Sequence, residues 1–236
     1  MSISINAGNT NLYNNRINEH NKQDNFRKLS SGKKINSAKD DTAGLAISEK
    51  MINQINKANK EIENYQDEQS RINVSDSMYE GTSDYLMDMY EQQVRASSGL
   101  MSDSDKKVIN DYSRRLRDDA EAMLDNTKFN ESKVADKSAK SSLPENFNLE
   151  SIDESMNAIN RLRSKDGAKY NGLEHRIENL KTEEYNTTAA QSRIADTEYG
   201  SEVSELNKNR TLDTYRNMMQ SRMMQDQRDQ ASRLFQ

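Results

Sequence analysis

His20 and His175 are the side chains of this chain best suited to moving a proton near neutral pH. Neither has the company that catalysis requires. His20 stands in NEHNKQD and His175 in GLEHRIEN, each among charged residues that read as solvated helix faces. A general base also needs a partner to orient it and a concavity to hold its substrate. The 39 Asp and Glu residues offer more acid–base groups, but EEY and RDD clusters fall at helix-face spacing. Pairing with nearby Lys and Arg in water is their expected role. The run DSDKK is too short for a calcium loop and lacks that loop's glycine and closing glutamate. A Gly-rich phosphate loop, a His-Glu-x-x-His run and cysteine are all missing. The chain is therefore expected to be no enzyme, with no catalytic residue, no cofactor and no metal.

Composition points to long helices instead. Of 236 residues only 32% are hydrophobic and 31% are charged, with a mean hydropathy of −1.12, no Trp and a single Pro. Such a chain cannot enclose a broad core, but it can line narrow seams between helices. The net charge of −5 is dispersed, with no run of Lys or Arg, so no nucleic acid is expected as a partner. No apolar stretch approaches the roughly 20 residues needed to cross a bilayer, so no membrane is expected either. The opening MSISINAGNTNLYNN lacks the basic and apolar regions of a secretory signal.

The elements that must position any functional residue follow from periodicity. Met51, Ala58, Tyr65, Ile72, Tyr79 and Leu86 recur every seven residues, which predicts a helix over about 45–98, stopped by Gly99. Ser102 with Asp105 suits a capping box, with Ser104 as a rival cap, ahead of a helix over about 104–127. Its seam is Ile109, Tyr112, Leu116, Ala120 and Met123. A third helix over about 149–191 presents Ile152, Met156, Ile159, Tyr170, Leu173, Ile177 and Leu180. Residues 128–148, which hold Pro144, read as a bare loop or short β-hairpin. The ends, 1–28 and 203–236, are thinly apolar amphipathic helices that need partners. On the second of these, Val203, Leu206, Leu212, Tyr215, Met219, Met223 and Leu234 share something like one face. The fold class is mainly all-α: a long antiparallel helical bundle or coiled coil, with a discontinuous domain of terminal helices.

One stretch interrupts this helical pattern. LSSGKKINSAKDDTAGLAIS, residues 29–48, packs small residues, two glycines and a Lys-Asp-Asp step together. It closely resembles the most characteristic run of bacterial flagellin. The matching positions are Leu29, Ser30, Ser31, Gly32, Ile35, Asn36, Ser37, Ala38, Lys39, Asp40, Asp41, Ala43, Gly44, Ala46 and Ile47. SRIADTEY, from Ser192, is similar to the family's Ser-Arg-Ile-x-Asp-x-Asp-Tyr run, with Glu198 in place of the second Asp. Phe129 and Asn130 resemble the Phe-Asn step after the family's second rod helix.

The resemblance implies a subunit of two concentric tubes that polymerises into the bacterial flagellar filament for motility. Residues 1–38 and 198–236 would form the inner-tube domain with its connecting spokes, and 39–197 the outer-tube rod. No room for outer domains remains within 128–148. In the spoke, Gly32 and Gly44 are expected to relax the backbone. Asn36 and Ser37 are expected to satisfy freed backbone groups, and Asp40 and Asp41 to favour the start of a helix. Arg193, Ile194 and Asp196 would join them in subunit packing. The implied partners are further copies of the chain, an export chaperone covering the helix from Leu206 to Leu234, and filament cap and hook-junction proteins. Export through the flagellar type III apparatus and an extracellular location are also implied. The position of the family's immune-receptor patch falls on Leu86, Asp88, Glu91 and Gln92. There an Asp replaces a central Arg and a Gln a Leu, so weak or no activation of the innate receptor is expected. The polar ends leave an alternative open: a junction adaptor or secreted adhesin that forms no long filaments.

Overall fold

A computed structural model of the protein describes the backbone of residues 3–234 and the side chains of residues 16–233. Five helices, α1 (Ile3–Ser31), α2 (Thr42–Ala96), α3 (Asp103–Asn126), α4 (Leu149–Ala195) and α5 (Tyr199–Leu234), account for most of it. Two short strands, β1 (Lys128–Phe129) and β2 (Ser132–Lys133), pair antiparallel between α3 and α4. The chain divides into two compact units. One comprises residues up to Asn56 together with those from Tyr185; the other is Lys57–Glu184.

The second unit holds the larger core. Tyr79, Leu86 and Met89 of α2 meet Leu116, Ala120 and Leu124 of α3 and Ile152 and Ile159 of α4. Each fully buried side chain of this size contributes about 1.5–3 kcal/mol relative to exposure. Helices α2 and α3 approach closely at Gly81, where an added Cβ would stand 2.8 Å from the Met123 sulfur. The capping box is present: the Ser102 hydroxyl accepts from the Asp105 N–H at 3.2 Å, and Asp105 accepts from the Ser102 N–H at 3.2 Å. Tyr112, expected in the α3 seam, is instead exposed at 42%. Its neighbour Ser113 is buried in its place, where Gln93 of α2 donates to its hydroxyl at 3.4 Å.

Residues 128–148 are a hairpin followed by a 3-10 turn over Lys140–Ser142, and they are not bare. Asn130 and Glu131 both take positive φ (46° and 65°), the paired left-handed turn that suits a tight hairpin. Val134, Ala139 and Leu143 are buried in the core of the unit. The Asp136 N–H donates to the Tyr79 hydroxyl at 2.8 Å, and Lys165 pairs with the Asp136 carboxylate at 2.9 Å. The Ser138 N–H, then the Lys165 ammonium, hold that carboxyl well below the usual carboxylate range. Along α4 no residue between Ile159 and Ile177 is fully buried. Polar contacts replace a core there: Arg163 with Asp76 at 2.9 Å, Ser75 donating to Asp166 at 2.8 Å, and Arg176 over the Tyr65 ring.

The first unit joins the two chain ends. Helices α1 and α5 lie antiparallel, with Asn18 opposite Asn209 and Asn25 opposite Glu202. Below them, Gln191 of α4 donates to the Ser48 hydroxyl of α2 at 3.1 Å. Leu206 is buried, whereas Leu212, Tyr215, Met219 and Met223 are exposed; the side chain of Leu234 lies outside the described residues.

Candidate assembly site in the connecting segments and terminal helices

Helix α1 ends because Gly32 turns left-handed, with φ of +69°, and its N–H still reaches the Lys28 carbonyl at 2.9 Å. A residue with a Cβ is strained in that conformation, so glycine is the natural C-terminal stop. The Ser31 hydroxyl accepts the Lys33 N–H at 3.1 Å and tightens the turn. The chain then runs against the segment entering from α4. Lys33 and Asp196 form an antiparallel bridge. The Lys34 N–H donates to the Ala195 carbonyl at 2.7 Å, and the Thr197 N–H to the Gly32 carbonyl at 2.9 Å. These bonds tie together segments more than 160 residues apart in sequence, since 196 − 33 = 163. Beneath the bridge Ile35 is buried.

Asp40 is the hub of the following turn. Its Oδ2 accepts from the Asn36 N–H at 3.1 Å, the Ser37 N–H at 2.9 Å and the Ser37 hydroxyl at 3.0 Å. Its Oδ1 accepts from Arg27 of α1 at 3.0 Å. Desolvation opposes the charged carboxylate, but the Asn36 N–H, the Ser37 donors and the Arg27 charge together hold its pKa below the usual value. Of Asn36 and Ser37, expected to satisfy freed backbone groups, Asn36 does so by donating its amide to the Lys33 carbonyl at 2.9 Å, whereas the Ser37 hydroxyl donates to Asp40. The freed N–H groups are satisfied by Asp40 itself.

Asp41 caps α2, its Oδ1 accepting the Gly44 N–H at 2.9 Å. Gly44 does not relax the backbone, contrary to expectation. It lies inside the first turn of α2, and a Cβ there would meet Asp41 Oδ2 at 2.4 Å and Ile35 Cδ1 at 2.7 Å. Its function is close approach. Ser30, Ala38, Lys39 and Arg193 are exposed around this centre, Leu29 and Ile194 half-buried. Asp196 accepts from the Ser192 hydroxyl one turn earlier.

The α1–α5 seam is polar, which periodicity of apolar residues could not reveal. Asn18 donates to the Asn209 carbonyl at 3.0 Å and to the Asp213 carboxylate. Lys22 bridges Asp213 and Glu19. Its hydrogen bond to Asp213, then that to Glu19, raise the Lys22 pKa, while the bond from Lys22 depresses that of Asp213. Lys28 pairs with Glu202 at 3.5 Å, and Arg210 stacks over Phe26 with its guanidinium carbon 5.5 Å from the ring centre. Asn18, Lys22 and Asn25 recur at four and three, as do Glu202, Leu206, Asn209 and Asp213, so heptad spacing of polar residues was the available signal. Arg27 was missed for a different reason: its partner Asp40 lies across a turn.

At the position of the receptor patch, Leu86 is sealed in the core and offers no surface. Asp88 and Glu91 are exposed, and Gln92 is half-buried. His20 and His175 are both exposed, the latter 3.6 Å from Glu178.

Residues 3–140 match the family model for the bacterial flagellin N-terminal helical region, and residues 149–230 match that for its C-terminal helical region. The chain belongs to the bacterial flagellin family. It is 32% identical to a flagellin of Halalkalibacterium halodurans over 83% of this chain and 85% of that protein. Identity to a Bacillus subtilis flagellin is 30%, over 84% of this chain and 88% of the relative. A flagellar filament 31.3 kDa core protein of Treponema maltophilum is 29% identical over 79% and 83% of the two chains. Flagellin is a structural family, and both characteristic runs of this chain meet at the bridge between Lys33 and Asp196.

Proposed function

We propose that this flagellin is the structural subunit of a bacterial flagellar filament, polymerising with copies of itself to form a tube that transmits torque. The observation that carries the reading is the joining of the two chain ends in one unit, with apolar side chains of both helices left outward. Phe26, Leu212, Tyr215, Met219 and Met223 are all exposed. Two thin helices with that much uncovered apolar surface gain by packing against further copies. Residues 1–38 and 198–236 are assigned to an inner tube with its spokes, and 39–197 to an outer tube.

The exposed Ser30, Ala38, Lys39 and Arg193 of the connecting segments are assigned to contacts with neighbouring copies, around the scaffold built by Gly32, Ile35, Asp40, Asp41, Gly44 and Asp196. The exposed face of α5 suits an export chaperone before assembly. Cap and hook-junction proteins would meet the same surfaces at the ends of the filament, outside the cell. Asp88 and a core-bound Leu86 make a poor anchor for the flagellin-sensing receptor, so reporter cells given purified monomer are expected to respond weakly. A robust response at low concentration would overturn that assignment. The filament reading is tested by electron microscopy of purified monomer with a precipitating salt and short seeds. Long tubes are expected. Persistent monomers despite seeds would favour an adaptor.

A further inference from the structure

The core of the second unit does not run its whole length. Its cluster of packed apolar residues reaches Val74 on α2 and Leu162 on α4 and goes no further. From Asn160 to Arg176 α4 buries no residue fully, a stretch of about 25 Å at 1.5 Å per residue. Leu162, Tyr170 and Leu173 are half-buried there, and full burial resumes only at Ile177. The same stretch is weak as a helix. Ser164, Asp166, Gly167, Asn171 and Gly172 all rank low in helix propensity. Neither glycine has anything within 4 Å of where a Cβ would stand, so neither serves close packing as Gly81 does. Both are exposed, which bares the backbone hydrogen bonds around them to water. An open hollow of about 240 Å³ lies beside Gly172, lined also by Glu68, Lys169, Leu173 and Arg176, so α4 has room to move against α2. Helix α2, by contrast, carries no glycine between Gly44 and Gly81.

We infer that residues 160–176 of α4 are a compliant joint within the second unit: the helix opens and bends there, while α2 stays continuous and the packed segments on either side stay shut. The polar contacts of the stretch suit that role. Arg163 with Asp76 at 2.9 Å and Ser75 donating to Asp166 at 2.8 Å hold the register ahead of Gly167. Arg176 over the Tyr65 ring holds it beyond Gly172. Pairs between partly exposed charges contribute little to stability, so they keep α4 aligned with α2 without stiffening it. Two glycines without a packing reason are otherwise a plain loss, since alanine would make the helix about fivefold more favourable at each position. The use of the joint rests on the filament reading. When a tube bends, subunits on its inner side shorten and those on its outer side lengthen. A stretch of low local stability takes up that difference without breaking the core built on Leu86, Leu124 and Ile159.

The test uses the full-length chain and two readouts. Amide hydrogen exchange on monomer is expected to give residues 160–176 about tenfold less protection than residues 152–159. Gly167→Ala and Gly172→Ala should each slow exchange in the stretch about fivefold, and the double variant roughly twentyfold, with 152–159 unchanged. Ala168→Gly, at an exposed position between them, should hasten it about fivefold. The second readout is the bending persistence length of filaments traced in electron micrographs. It is expected to be longer than wild type for the double alanine variant and shorter for Ala168→Gly. Protection of 160–176 equal to that of 152–159 overturns the joint. So do double-variant filaments that bend as freely as wild type although exchange has slowed. Where the double variant yields no filaments, Gly172→Ala and Ala168→Gly filaments are compared, and equal persistence lengths overturn the joint. Failure of wild-type monomer to form filaments overturns the filament reading instead, and the exchange pattern on monomer then decides the joint by itself.

Discussion

Replacing Gly44 by alanine tests the account of the connecting segment at its tightest point. Two terms oppose each other. Alanine favours a helix over glycine by about 1 kcal/mol, so by propensity alone the substitution stabilises α2. Against this, the new Cβ would lie 2.4 Å from Asp41 Oδ2 and 2.7 Å from Ile35 Cδ1. The carboxylate that caps α2 must swing away, at a loss of about 0.5–2 kcal/mol. Ile35 is buried under the Lys33–Asp196 bridge and has little room to yield, which adds an overpacking cost of about 1–3 kcal/mol. Subtracting the propensity gain leaves a net destabilisation of roughly 0.5–4 kcal/mol, confined to the connecting segments. Amide hydrogen exchange is the suitable assay because it reports this segment separately from the core of the second unit. Faster exchange is expected at Lys34, Ile35, Gly44 and Thr197, with Leu86 and Ile152 unchanged. Gly172→Ala is the control: it is also helical, nothing lies within 4 Å of its Cβ, and it is expected to stabilise α4 by about 1 kcal/mol. If Gly44→Ala slowed exchange as Gly172→Ala does, the close-approach argument would be wrong and Gly44 an ordinary helix position.

Three other predictions follow from named contacts. Asp40→Asn removes the charge held by Arg27 and the Ser37 hydroxyl; exchange should accelerate at Asn36 and Ser37 while the melting of the second unit stays unchanged. The Lys22–Asp213 pair confers a pH window on the α1–α5 contact. Asp213 is depressed on folding, so its contribution is present above the ordinary pKa of 3.8 and lost as pH falls through the lower folded value. Lys22 is raised, so its contribution is full below 10.5 and lost as pH rises through the higher folded value; helicity or filament length followed across pH should fall at both extremes, and less so in Asp213→Asn. Tyr79→Phe leaves the Asp136 N–H without its acceptor and should destabilise the second unit by about 1–3 kcal/mol in thermal melts, with hairpin amides exchanging first.

The helices of the second unit were legible because they are written in apolar residues. The stripe through Ile72, Tyr79 and Leu86 is buried where predicted, and the Ser102 cap stands at the foot of α3. Helix α2 begins at Thr42, three residues ahead of the position read from periodicity, because the start is set by the Asp41 cap rather than by an apolar residue. The contact of α5 with α1 was less legible for a related reason. Leu212, Tyr215, Met219 and Met223 are exposed, and Asn209 and Asp213 are the residues that face α1, where Asn18 and Lys22 meet them with hydrogen bonds. No apolar pattern encodes such a pairing, since it requires both helices to be known together. The same limit hid Arg27 and the burial of Val134 and Leu143 in a segment that reads as a polar loop. Gly44 could be singled out from its motif, but its reason could not, since that depends on where Ile35 comes to rest.

The central claim is that the paired chain ends drive assembly of a filament. It is tested most directly by comparing seeded growth of the full chain with that of a truncation lacking residues 1–28 and 203–236, both observed by electron microscopy under identical salt. The account predicts long tubes from the full chain and none from the truncation, which keeps the core of the second unit and remains helical by circular dichroism. Tubes of equal length from both would contradict it, and would place the assembling surface within residues 29–202.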